Sequence, residues 1–320
     1  MWESFPPLPL EGIKTVPLAS RPSKVRAEQV GRPHAPGRSF REFLRSLPDI
    51  LAAGSFREAV SAVAGAAREG KVVALGMGGH PIKVGLSPIL IDLMKRGVIR
   101  ALAMNGSGIV HDFEMAFAGR TSEDVDASID AGEFGMAEET GRILNEAIAE
   151  GARAGLGIGE AVGQRIVQDG LPHAEMSLLA AGVRLGVPVT VHVALGTDIL
   201  HVHPQANGAA IGEGSFIDFR TFASVVSRLE GGVYINLGSA VILPEVFLKA
   251  LTLARSQGHR VDKFVTVNMD FIQHYRPLNN VVRRPTQKAG RGIALTGHHE
   301  ILFPLFAAAV IEELGESVNR

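Results

Sequence analysis

Four times along this chain a short apolar run ends in a turn built from Gly, Ser, Asn or Asp. "KVVAL" runs into "GMGGHPIKVG", "IRALAM" into "NGSG", "VPVTVHVAL" into "GTD" and "GGVYINL" into "GSA". A fifth run, "DKFVTVNM", leads into the long segment 270–297. Amphipathic segments of helical period separate the runs. Strands that are apolar on both faces must be covered on both faces, and their alternation with helices predicts a parallel sheet between helical layers. The expected fold class is therefore α/β, a doubly wound, Rossmann-like parallel sheet. With 46% hydrophobic residues in a chain of 320, there is ample material for such a core.

Punctuation supports the helices. Ser87 suits the N-cap of "SPILIDLMKRG", Pro88 its first helical position and Gly97 its C-terminal stop. Pro244 and Gly258 bracket "LPEVFLKALTLARSQG" in the same way, and Thr121 with Asp124 predicts a capping box before "VDASIDAG". Residues 1–38, rich in Pro and Arg and without a period, read as an extended arm. Residues 39–320 read as one domain with a helical insertion around 120–180 and no solenoid repeat.

Composition excludes several classes of function. There is no cysteine, so disulfides, thiolate catalysis and Cys-ligated metals are ruled out. The 32 basic and 33 acidic residues give a net charge of −1, with no global pull toward nucleic acid or an anionic membrane. The first twenty residues lack the basic and apolar regions of a secretory signal, and no run approaches the ~18 apolar residues of a membrane span. A soluble, cytoplasmic protein is expected, with neither nucleic acid nor membrane as partner.

In an open parallel sheet, ligands sit beyond the carboxyl ends of the strands. The four glycine-bearing strand ends therefore predict a nucleotide or phosphate site, where backbone and helix N-termini can approach an anion. "GLGIGEAVG" (155–163) is set aside as a dinucleotide fingerprint, because its spacing is wrong and a helix rather than a strand precedes it. His201 and His203 could share a face as metal ligands, with His298, His299 and Glu300 as further donors, but the pattern has low specificity and no metal is expected. Segment 276–291 carries Arg276, Arg283, Arg284, Lys288 and Arg291, and is either a solvated loop or a cover for an anionic group.

From about residue 40 to 315 the pattern resembles the deoxyhypusine synthase family. The landmarks are "GGHPIKVG", "NGSGIVHDFE", "GEFG", "GVPVTVHVALGTD", "GGVYINLGSAV", "FVTVNM" and the terminal "LFPLFAAAV". The resemblance implies tightly bound NAD, a homotetramer with sites at subunit interfaces, and transfer of an aminobutyl group from a polyamine through an imine. A shorter likeness, in "HDFE", is to NAD-dependent ornithine cyclodeaminases. By position, the implied NAD contacts are Gly79, His80 and Lys83, then Asn105, Gly106 and Ser107, then Asp198, Ser239, Asp270, His298 and His299.

The substrate side departs from the family. Its paired glutamates fall at Val110 and His111, its polyamine-binding aspartate at His203 and its active-site histidine at Pro244. The catalytic lysine falls at Arg291 or Gly292, with Lys288 only nearby. A buried polyamine cation needs carboxylates, so spermidine is an unsuited substrate. The expected function is an NAD-dependent enzyme acting on another amine or amino acid. His111 would be general base, because an unperturbed imidazole pKa near 6.5 suits proton acceptance at neutral pH. Asp112 would face the substrate beside it, Asp112 or Glu114 would orient the ring, and Lys288 would stand near the lost lysine. The alternatives are a nucleotide-binding homologue without catalysis, or a metal-dependent hydrolase built on His201 and His203.

Overall fold

The computed structural model describes residues 4–315, which divide after Ile50 into two units. The first consists of turns and one regular α-helix, α1 (Phe40–Ser46). Ser39 accepts a hydrogen bond from the Glu42 amide and Glu42 accepts one from the Ser39 amide, a closed capping box. No residue of this unit is buried within the described structure.

In the second unit, β1 (Val73–Met77), β2 (Ala101–Asn105), β3 (Val189–His192), β4 (Val233–Leu237), β5 (Val265–Asp270) and β6 (Arg291–Thr296) form one sheet. Its order is β3-β2-β1-β4-β5-β6, and every pairing is parallel. Helix α2 (Leu51–Arg68) leads into β1. The crossover to β2 carries α3 (His80–Lys83) and α4 (Ser87–Lys95). Between β2 and β3 lie α5 (Gly106–Ala118), α6 (Val125–Ser128), α7 (Glu138–Arg153), α8 (Ile158–Gln168) and α9 (Leu178–Leu185). Then α10 (Gly208–Val226) leads to β4 and α11 (Ile242–Ser256) to β5. A short α12 (Tyr275–Pro277) and a π-helical turn (Leu278–Arg283) lead to β6, and α13 (His299–Leu314) follows it.

Helices cover both faces of this Rossmann-like sheet, which explains the apolar runs. Every residue of β1, β3 and β4 is buried. On one face Tyr234 lies flat against Phe247 of α11, ring centroids 3.9 Å apart, within a cluster that includes Ala74, Phe222 and Val281. On the other, Phe56 of α2 meets Phe306 of α13 edge to face at 6.0 Å. Strand β6 is the exception: it buries Ile293 and Leu295 and exposes Arg291, Ala294 and Thr296, as an edge strand does. The other edge, β3, is tied down by a buried carboxylate. Asp218 Oδ2 on α10 accepts from the Val191 amide at 2.8 Å and the Gly159 amide at 3.0 Å, so one group holds the strand edge and the start of α8.

Some local expectations are corrected. Leu86 rather than Ser87 precedes α4 as its cap, and the Ser87 hydroxyl is buried without a partner. Asp124 caps α6 alone, accepting from the Ala127 amide, while Thr121 turns elsewhere. Segment 276–291 is a helical crossover that carries the chain from the carboxyl end of β5 to the amino end of β6. The 155–163 stretch joins α7 to α8 and follows no strand. Among the described residues no helix is long and apolar enough to cross a membrane.

Burial pushes the Asp218 carboxyl up to about 7, against the backbone N–H groups that favour its charged form. A carboxyl whose folded pKa lies above its unfolded value of about 4 takes up protons on folding, so its contribution to stability is fully present at low pH and declines as pH rises toward 7. Asp218→Asn leaves a carbonyl oxygen to accept both amides and removes the charge. Denaturant unfolding at pH 5 and pH 8 should show the variant gaining more than about 1 kcal/mol relative to the parent at the higher pH. An equal difference at both pH values would contradict this assignment.

Candidate functional site

The strand order changes direction between β1 and β4, so the crevice opens above the carboxyl ends of these strands and their neighbours. Their backbones are close there. A Cβ on Gly78 would stand 2.7 Å from the Gly238 carbonyl oxygen, so only glycine lets the two turns meet.

On the β2 side, Asn105 caps α5 by accepting from the Gly108 amide, and the Ser107 hydroxyl donates to the same oxygen. Asp198, at the end of the loop after β3, lays its carboxylate against Gly106; any side chain at that position would collide with it. It accepts a hydrogen bond from the Thr197 hydroxyl at 3.3 Å. Burial raises the Asp198 pKa, opposed by His201 and Thr197.

One turn into α5, His111 faces a cavity of about 230 Å³ lined by Lys83, Ser107, Glu114, Phe134 and Asp198 among others. The Thr121 hydroxyl donates to Glu114 Oε2 at 2.5 Å, so its oxygen is free to accept, and His111 Nδ1 lies 2.8 Å from it. The donor order is then His111 Nδ1–H to Thr121 to the Glu114 carboxylate. This leaves the His111 Nε2 lone pair available. Thr140 donates to the other Glu114 oxygen at 3.2 Å and fixes the carboxylate. Lys83 makes no ion pair among the described residues. Burial first, and repulsion from Lys83 second, push the His111 imidazole down to about 4.

Across the crevice, His80 begins α3 and its Nδ1 lies 2.8 Å from Nδ1 of His299, the first residue of α13. His299 is buried, and its Nε2 stands 3.6 Å from Asp270 Oδ1. Phe271 stacks on His298 and meets His299 edge-on. Beneath them the Asn236 amide donates to Asn268 Oδ1 at 2.7 Å, the Asn268 amide to Gln273 Oε1 at 2.7 Å, and Gln273 to the Leu295 carbonyl at 3.1 Å. This ladder fixes the ends of β4, β5 and β6.

The expected residues thus separate. Lys83, Ser107, His111, Glu114 and Asp198 share the cavity, while Gly79 abuts Ser107 and His111. His80, Asp270, His298 and His299 gather on the other side. Asn105 and Ser239 spend their side-chain oxygens within the chain, Ser239 Oγ on the Leu243 amide. Asp112 does not face a substrate. It is fully buried and accepts from Ser177 Oγ at 2.5 Å and the Leu178 and Leu179 amides at 2.7 and 3.2 Å, capping α9. With both oxygens spent on the start of α9, it does not orient His111; Glu114 does so through Thr121. The near-neutral pKa expected of His111 is also corrected by its burial.

Lys288 lies at the amino end of the sheet, paired with Asp262 at 3.6 Å, and Arg291 makes a two-pronged pair with Glu58. Neither reaches the crevice. His201 Nδ1 accepts from the Gly196 and Asp198 amides, and His203 Nε2 bonds the Gly135 carbonyl, so the two rings serve separate loop contacts. Among the described residues no three His, Asp or Glu side chains converge as an ion site. Thr121 was legible only as a cap; its role depends on Gly119, whose left-handed turn ends α5 and folds the chain back over His111.

No family model and no curated protein matches the sequence. Solved structures do share its fold. A candidate deoxyhypusine synthase from Entamoeba histolytica matches with a TM-score of 0.52 at 12% identity, over 87% of this chain and 95% of that one. A conserved candidate LOR/SDH protein from Methanococcus maripaludis S2 matches with a TM-score of 0.52 at 12% identity, over 82% of this chain and 68% of that one. AgrE, in its ternary complex with ornithine and NAD+, matches with a TM-score of 0.51 at 16% identity over 83% of this chain. The matched region covers only 34% of the AgrE chain.

The separation of Asp112 from the cavity and of Lys288 from the crevice gives a direct expectation. Asp112→Ala should lower unfolding stability by about 2–3 kcal/mol, because it strands buried donors at the start of α9. Lys288→Ala should change it by less than about 0.5 kcal/mol, as expected of an exposed pair. A stable Asp112→Ala protein in urea unfolding would contradict the capping role.

Proposed function

We propose that the protein is an NAD-dependent enzyme of amine chemistry whose substrate is an amino acid rather than a polyamine. The observation that carries this reading is the cavity where the free Nε2 of His111 meets Lys83, Glu114 and Asp198. An amino acid brings one anionic and one cationic group. Lys83 suits the carboxylate, and the acidic side behind His111 suits the ammonium. A polyamine brings only cations, which Lys83 would repel. The cavity is below the size range of drug-sized pockets, as a small metabolite requires.

The residues present suit NAD at the same end of the sheet. The Asp198 carboxylate accepts from the Thr197 hydroxyl and keeps acceptor capacity for ribose hydroxyls. When bound, NAD supplies the acceptor for a hydride. The chain's own part is binding and proton transfer. Lys83 holds the carboxylate and so fixes the amine near His111. An amine gives up hydride only when neutral, and His111 Nε2 accepts its proton while Thr121 and Glu114 hold the ring in the tautomer with Nδ1–H. A carboxylate on Lys83 offsets the smaller of the two causes that depress the imidazole, the Lys83 repulsion, while burial continues to hold its pKa down. The homotetramer implied by the sequence resemblance belongs to the same reading.

The test is calorimetric titration with NAD+, then formation of reduced nicotinamide with a panel of amino acids and with spermidine. Turnover is expected with an amino acid and not with spermidine. His111→Gln should lower it on the order of 100-fold with NAD+ affinity kept, and Lys83→Ala should act mainly on KM. Absence of NAD+ binding, or undiminished turnover in His111→Gln, would overturn the reading.

A further inference from the structure

The His80–His299 contact is not what cofactor binding requires. Two ring nitrogens 2.8 Å apart need one hydrogen between them, so one imidazole donates and the other accepts. The buried end of the pair settles which. His299 Nε2 has no hydrogen-bond partner among the described residues, and Asp270 Oδ1 stands 3.6 Å away. A lone pair facing a buried carboxylate is repelled, whereas an N–H there is attracted. His299 therefore carries its hydrogen on Nε2 and accepts at Nδ1. His80 must then carry its hydrogen on Nδ1, which leaves the His80 Nε2 lone pair at the crevice end of the pair.

We propose that Asp270, His299 and His80 form a second proton relay at the carboxyl end of β1, β5 and β6, with His80 Nε2 as its accepting terminus. A proton taken up at His80 Nε2 releases the His80 Nδ1 proton to His299 Nδ1. His299 becomes the imidazolium, keeping its Nε2–H beside the Asp270 carboxylate 3.6 Å away, and His80 is left neutral with its hydrogen on Nε2. Gly238, whose left-handed turn abuts the His299 ring, and Phe271, edge-on to that ring and tilted against His80, hold the two imidazoles in line. The charged and titratable groups around the relay are Lys83 on the His80 helix, His298 and Glu300 beside His299, and Asp270 at the end of β5. His80 is the candidate catalytic residue; His299 and Asp270 are positioning residues.

The relay stands on its own geometry and rests on the amino-acid reading only for the reaction that would draw on it. His111 acts on one side of the crevice and His80 on the other, which suits a reaction in which a second proton moves at water or at a leaving amine.

Spectra of full-length protein labelled with nitrogen-15 histidine test this without any substrate. The expected result is His299 as the Nε2–H tautomer and His80 as the Nδ1–H tautomer, with a deshielded proton shared between the Nδ1 atoms. In Asp270→Asn the His299 tautomer should become mixed while that of His111 is unchanged. Should that variant fail to fold, the parent spectra alone decide the matter. His80 found as the Nε2–H tautomer, or the two rings titrating independently, would overturn the relay, and neither result would bear on NAD+ binding or on His111.

Discussion

The reversal of strand order between β1 and β4 is the constraint on which the site depends. It pulls the crossover helices to opposite faces and leaves the carboxyl ends of the central strands uncovered. Every polar group of interest is delivered there by a strand end or by the first turn after it: Gly78 and His80 after β1, Asn105 and His111 after β2, Asp198 after β3, Asp270 in β5 and His299 after β6. The sheet holds these groups rigidly, because its central strands are buried on both faces and locked by contacts such as Tyr234 on Phe247.

Rigid delivery matters because the groups are few and individually ordinary. His111 is one half-buried imidazole, made specific by Thr121 and Glu114, which leave its Nε2 free for a ligand. His80 is made specific by His299 in the same manner. The two imidazoles sit on opposite sides of one crevice, and each is backed by a carboxylate that never touches it directly within hydrogen-bond distance. The Thr121 hydroxyl bridges the gap in one case; in the other His299 bonds His80 and stands 3.6 Å from Asp270.

The fold was legible because its signal is physical and repeated: apolar strands without alternation, each closed by a turn residue, can only be buried parallel strands. Sequence left Asp112 and Glu114 as alternatives for orienting His111; Glu114, three residues on and sharing its helix face, is the one that does so, through Thr121. Asp112 misled because adjacency to His111 suggested a shared role, whereas neighbours on a helix point about 100° apart and this one points into the core. Lys288 misled for a different reason. Position along the chain placed it near the catalytic lysine that the resemblance implies, but the π-helical turn spends the intervening residues returning to the amino end of the sheet. Thr121, Asn236 and Asn268 were hidden because their partners lie across a turn or on a neighbouring strand. A polar residue at the same register in two buried strands, Asn236 beside Asn268, is the one trace that sequence did carry.

The account stands or falls on what occupies the cavity in front of His111. A crystal structure of the protein with NAD+ and the amino acid that reduces it tests this most directly. The account requires the amino-acid carboxylate on Lys83 and its nitrogen within hydrogen-bond reach of His111 Nε2, with the nicotinamide at the carboxyl ends of the strands. An amino acid bound elsewhere, or one whose carboxylate points away from Lys83, would contradict it.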